Sequence, residues 1–237
     1  SLESAKALLP DSATLRIERA RYLLLRYGKQ IDVAELEQLA VPNAAWSLEE
    51  KMQIASAMAG FFRALEDYGR SQKYAQLVAD SEIGKSNLAI HLLLFDLALQ
   101  SGELATMGKS LEQVRTIEGR GPLWKVGEAV RLTIQADGLP EDQLAERGAL
   151  NTQAINILAE AAVERPAWAR IPSLKGEMFD RQGRKELAIA EYLKAINLGE
   201  QSPSLISRAL FLLFEQGRYG EADQVVEKLQ KQETPFS

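Results

Sequence analysis

Apolar residues recur along this chain with a period near 3.6, as at Leu187, Ala188, Tyr192 and Ala195, with polar residues between them. No sustained period-2 alternation occurs, and Asp137-Gly138 stands between helical patterns rather than between β-branched runs. The predicted fold class is therefore all-α. Gly28, Gly69, Gly102, Gly138, Gly183 and Gly217 each follow one apolar helical stretch and precede another, so the breaks recur at intervals that suit a repeated helix pair. Pro10, Pro42, Pro122, Pro166 and Pro203 fall mostly where a new helix pair would begin, because proline is tolerated in the first turn of a helix. The pattern predicts one helical-repeat domain over 1–237, built of about six antiparallel helix pairs at 11–40, 47–80, 86–117, 122–164, 167–198 and 203–232. Ser47-Leu-Glu-Glu50 is a capping box that starts one of them. Residues 1–9, ahead of Pro10, read as the end of a preceding helix, so the chain is expected to be a piece of a longer protein.

The register is sharpest in the C-terminal half. Ala154, Ala188 and Ala222 are evenly spaced, and the same interval separates Ala161 from Ala195 and Gly183 from Gly217. Gly176, Phe179, Gly183, Ala188, Tyr192 and Ala195 stand in the pattern G-x2-F-x3-G-x4-A-x3-Y-x2-A. That pattern resembles the tetratricopeptide repeat, a helix-turn-helix of about 34 residues. Each position has an expected packing role. Gly176 and Ala188 let the two helices approach, Gly183 makes the turn, and Tyr192 and Ala195 receive the next unit. The last unit keeps Gly217 and Ala222 but has Leu210 where the family prefers glycine. The unit ending at Pro166 carries an insertion from Asp137 to Leu150, read as an extra turn or short helix starting at Pro140. The first three units share only the turn glycines and the apolar spacing.

The resemblance implies a right-handed α-solenoid superhelix that binds a peptide or a partner domain on its concave face. Carrying over the register puts Arg170, Ser173, Glu177, Asp180 and Arg181 on that face in the best unit, and Ser204, Ser207, Phe211 and Phe214 in the last. Chaperone-binding members clamp a terminal carboxylate with a Lys/Asn/Arg set. Ser173 and Glu177 stand where the first Lys and the Asn would be, which disfavours that partner class.

Composition narrows the chemistry. Across 237 residues, 28 Lys and Arg face 33 Asp and Glu, for a net charge of −5, so no dominant nucleic-acid surface is expected. With no cysteine and one histidine, thiolate chemistry, zinc fingers and disulfide frameworks find no residues to work with. No apolar run approaches the ~18 to 20 residues of a membrane span, so no membrane contact is expected. Gly84-Lys85-Ser86 and Gly108-Lys109-Ser110 look like the tail of a phosphate-binding loop, but Ala79 and Glu103 occupy the places of its first glycine, and no strand precedes either. His91 lies in an apolar helix and reads as a hydrogen-bonded structural residue. Glu49-Glu50, Glu66-Asp67 and Glu141-Asp142 are sequence neighbours, which diverge by about 100° on a helix and cannot flank one bond. Trp46, Trp124 and Trp168, near the starts of helix pairs, read as packing between units. Phe61-Phe62, Leu92-Leu-Leu-Phe95 and Phe211-Leu-Leu-Phe214 are apolar round more than one face. They are expected to be covered by irregular stacking, or else to form a partly hydrophobic groove or a self-association surface.

These readings converge on a non-catalytic protein-interaction scaffold with no metal and no cofactor, whose partner is a protein or peptide. The alternatives are an accessory segment of a larger enzyme or secretion assembly, and a self-assembling module that forms a homo-dimer. The cysteine-free composition fits cytosol and periplasm alike, with the cytosol as first expectation.

Overall fold

The computed structural model describes residues 11–233, so the helix end expected over 1–9 lies outside the described residues. Among the described residues there are twelve α-helices and no strand. They are α1 (Ala13–Tyr27), α2 (Val33–Ala40), α3 (Leu48–Ala64), α4 (Tyr68–Ala79), α5 (Leu88–Ser101) and α6 (Leu104–Glu118), then α7 (Pro122–Asp137), α8 (Leu144–Glu164), α9 (Arg170–Arg181), α10 (Lys185–Asn197), α11 (Pro203–Glu215) and α12 (Tyr219–Glu233). Two compact units divide them, one ending at Gly119 with α1–α6 and one starting at Arg120 with α7–α12. Within each unit, successive helices fold back on one another as antiparallel pairs, and each pair packs on the next. The fold is all-α and built of helix pairs, as the periodicity predicts.

Local chemistry sets the starts. Ser12, Asp32, Asp67 and Asn87 accept a main-chain N–H of the first turn in α1, α2, α4 and α5. Ser47 and Glu50 close the reciprocal capping box of α3, with Glu50 N–H on Ser47 Oγ at 3.2 Å and Ser47 N–H on Glu50 Oε2 at 2.8 Å. Pro122 and Pro203 occupy the first turns of α7 and α11, where no intrahelical partner for their missing N–H is needed.

Four of the turns inside pairs are the same object. Glu66, Gly102, Gly183 and Gly217 have φ of 62°, 72°, 71° and 68°. In each, the following N–H reaches back to a carbonyl five residues earlier: Asp67 to Phe62, Glu103 to Ala98, Arg184 to Phe179 and Arg218 to Leu213, at 2.8 to 2.9 Å. Between α3 and α4 this corrects the expected glycine. Gly69 lies inside the first turn of α4, and Glu66 takes the left-handed position. Gly138 also differs, with an ordinary φ of −79°.

Aligning the pairs on this residue lines up their cores. Five residues on stand Ser71, Met107, Ala188 and Ala222, each at most 1% exposed. The first unit packs Ile17, Ala20 and Leu36 with Met58 and Phe62, and then Ala59, Ala75 and Val78 with Ile90 and Leu94. The second packs Leu132, Ala154, Leu158 and Ala161 with Ile171, and then Ala188, Ile189 and Tyr192 with Leu205, Leu212 and Leu213. Leu212 and Leu213 are wholly buried, worth about 2 kcal/mol each.

Gly176 lets α9 and α10 approach, as its packing role predicts, and what it makes room for is an aromatic ring. A Cβ on it would stand 2.5 Å from Tyr192 Cδ1, so Gly176 seats the Tyr192 ring inside its own pair. Beside them Lys175 and Glu191 form a half-buried ion pair, with side chains 18% and 16% exposed.

Several smaller readings resolve here. Gly84-Lys85-Ser86 is one short 3-10 turn in which a Cβ at Gly84 would overlap the Val78 carbonyl, and Gly108-Lys109-Ser110 lies inside α6. His91 is buried, but its Nε2 has no hydrogen-bond partner, contrary to expectation; its neighbours on α5 are apolar and offer none. Phe62, Leu94 and Phe95 are buried by stacking, whereas Phe211 and Phe214 stay more than half exposed. The insertion after Asp137 forms a turn closed by Gln143 N–H on the Pro140 carbonyl, and the rest of it lengthens α8.

Candidate functional site

The second unit presents α9 between two grooves. Buried residues Ile171, Leu174, Met178 and Phe179 fix α9 against its neighbours, and Pro172 is accommodated because it sits in the first turn. Of the residues carried over from the register, Arg170 and Arg181 are exposed, Glu177 and Asp180 are partly buried and Ser173 is buried.

The first groove, about 240 Å³, runs between α9 and α11 and is lined by Arg170, Ser173, Glu177, Tyr192, Glu200 and Arg208 among others. Ser173 is at its floor, 1% exposed, and donates to Glu200 Oε2 at 3.3 Å. Glu200 also accepts the Ser202 N–H at 3.1 Å, which fixes the linker into α11. Asp180 is committed inside the protein. Arg208 donates to both its oxygens, from Nε at 2.6 Å and Nη2 at 2.7 Å, and Tyr192 O–H reaches it at 3.4 Å. The Arg208 guanidinium holds the Asp180 carboxyl below the usual carboxylate range. Burial first, then the charges of Asp180 and Glu177, push the Tyr192 phenol up, so it stays a neutral donor. Arg170 and Glu177, seven residues apart on one helix, have no ion-pair partner among the described residues.

The second groove, about 580 Å³, lies between α7, the front of α8 and the end of α9. Arg181 belongs here, donating to Asp137 Oδ2 at 2.6 Å. Of the remaining residues carried over from the register, Ser207, Phe211 and Phe214 are open to solvent on α11. Phe211 lies under the Arg208 guanidinium at 5.2 Å, and Phe214 packs on Tyr219 at 5.5 Å between ring centres. The first unit has a groove of its own, about 600 Å³ between α3 and α5, where the small residues Gly60 and Ala64 face Leu93 and the Arg63–Asp96 pair at 3.1 Å lies along it.

Sequence reasoning missed Tyr192, Arg208 and Glu200 as groove residues. Arg208 stands one repeat length after the buried Leu174, so the register assigns it to the core. Tyr192 was read as a packing residue, which it is, with only its hydroxyl edge reaching the groove.

No protein-family model matches the chain, and no curated protein matches it. Among solved structures, one described as the crystal structure of MamA protein is similar, with a TM-score of 0.48 at 17% identity over 78% of this chain and 94% of that one.

Proposed function

We propose that this chain is a protein-interaction module of tetratricopeptide-like helix pairs, forming one repeat domain without catalysis of its own. It takes a peptide or partner domain in the groove between α9 and α11. The observation that carries this reading is the unpaired Arg170 and Glu177 on opposite ends of the groove, above a floor whose other polar groups already satisfy one another. Two unlike charges held at about 10 Å by helix geometry select a partner with the reverse pair.

The test is a pull-down with this chain, bound species being identified by mass spectrometry. The charge-swapped variant Arg170→Glu with Glu177→Lys is run in parallel. A partner that the swap loses, with helicity unchanged by circular dichroism, supports the reading. A partner held equally by the swapped variant sinks it.

A self-assembling module is the second reading, favoured by Phe211, Phe214 and Tyr219 standing 54% to 57% exposed close together. Light scattering over a concentration series, with and without Phe211→Ser and Phe214→Ser, separates it. A dimer that the substitutions dissolve favours self-assembly, and a monomer throughout removes it.

A further inference from the structure

The groove between α7, α8 and α9 has a different character from the one just described, and it exists because α8 is long. Ala154 and Ala188 are counterparts in the repeat register and both are wholly buried. Helix α10 starts three residues before its alanine, whereas α8 starts ten residues before its own, which adds two turns at the front. Those turns carry Leu144, Arg147 and Gly148, which with Asn151 just behind them form one wall.

Three arginines, Arg147, Arg181 and Arg184, meet one carboxylate, Asp137, in this groove, on a chain whose net charge is −5. Each guanidinium is held in place by a contact that leaves its charge unspent or spends it only once. Arg147 donates from Nε to the Ala136 carbonyl at 3.2 Å and from Nη2 to the Leu139 carbonyl at 2.6 Å, so neutral oxygens fix it. Arg184 lies against the Phe179 ring at 5.0 Å. Arg181 uses Nη1 on Asp137, which leaves the other edge of its fork free. Ordering long side chains is a main cost of binding, and here it has been met in the unbound protein. Apolar surface completes the site, with Leu144 at the rim, 67% exposed, and Ile155 and Met178 deeper. The volume lies within the range of ligand-binding clefts.

We infer that this groove binds an acidic peptide segment of a partner protein, its carboxylates on Arg181, Arg184 and Arg147 and an apolar side chain against Leu144 and Ile155. Asp137 sets the register by repelling a carboxylate placed opposite it. The inference does not depend on the α9–α11 groove.

The experiment uses fluorescence anisotropy with a labelled ten-residue peptide alternating Glu and Leu, and with a matched Ser/Leu peptide. The acidic peptide is expected to bind at least tenfold more tightly than the Ser/Leu peptide and to weaken steeply between 50 and 200 mM salt. Arg181→Glu with Arg184→Glu should weaken it at least tenfold, and Leu144→Glu, a substitution at an exposed site, should weaken it severalfold. Arg170→Glu should leave it within twofold. Equal affinity for the two peptides, or undiminished binding by both the double variant and Leu144→Glu, overturns the inference. Full displacement by millimolar inorganic phosphate also overturns it, showing simple anion exchange. Loss through Arg170→Glu alone moves the binding to the other groove and overturns it as well.

Discussion

The pairs α3/α4 and α9/α10 share one turn and differ in what they put around it. Counted from the left-handed residue, the first has Glu66 where the second has Gly183. Eight residues before and eight after it, the first has Met58 and Tyr74 where the second has the Lys175–Glu191 ion pair. Seven before and nine after, the first has two wholly buried alanines, Ala59 and Ala75, where the second sets Gly176 under the Tyr192 ring. One backbone frame thus tolerates an apolar or an ionic layer, and an even or an uneven division of volume. Side-chain sets that solve the same packing problem come as pairs, so half of one set is expected to fail.

The ionic layer offers the largest test. Glu191 Oε2 is buried without a hydrogen-bond partner, so its charge depends on Lys175. Lys175→Met is expected to cost about 3 kcal/mol by leaving that charge unpaired, while Lys175→Met with Glu191→Leu returns most of it. Urea denaturation reads both, and a double variant no more stable than the single would mean that the two layers are not equivalent.

Next comes volume. Gly176→Ala is expected to destabilise by about 2 kcal/mol, because its Cβ has to displace the Tyr192 ring. A thermal melt indistinguishable from the parent would show that the ring yields freely.

Acid should separate the two units. Asp180, half-buried and held by Arg208, has its pKa lowered in the folded state, so its contribution is complete above the unfolded value near 4 and disappears as pH falls through the folded one. Asp180→Asn should therefore lower stability at pH 7 by about 1 kcal/mol, and by progressively less as the pH falls below 4. The Arg63–Asp96 pair of the first unit is about half exposed on both sides, and Asp96→Asn there should shift the pH 7 value by less. Denaturation curves at pH 7 and below pH 4 decide. A loss at Asp180 that persists undiminished in acid would mean the residue matters through something other than its charge.

The smallest effect is at the turn. Glu66→Gly relieves a left-handed non-glycine residue, and an increase in stability of roughly 0.5 to 1 kcal/mol is expected, at the cost of an exposed ion pair with Lys29. A decrease would show that the pair outweighs the strain.

This last position also marks where the sequence is silent. Glycine announces a left-handed turn at 102, 183 and 217, and the alanine ladder at 154, 188 and 222 announces the close approach that follows it. Glutamate announces nothing of the kind, so Gly69, three residues on, attracts the assignment. The all-α class, the capping box and the helix pairs opened by Pro122 and Pro203 are legible because each is written within a few adjacent residues. The grooves are not written that way. Asp180 and Arg208 are 28 residues apart, and Arg181 and Asp137 are 44 apart. Both pairs depend on which register each helix takes against its neighbour.

The six residues from Gly138 to Gln143 matter for a reason apart from binding. Most are exposed, none is helical, and the front of α8 that follows them is mostly exposed, tied down by Leu150 on the core and by Arg147 on the Ala136 and Leu139 carbonyls. Helical residues added ahead of Leu144 would lengthen the wall by about 1.5 Å each and leave the contacts of Leu150 and of Ala154 onward in register. The depth of the arginine-lined groove is therefore a quantity that insertions and deletions can tune, in natural variation or in the laboratory, independently of the scaffold that holds it.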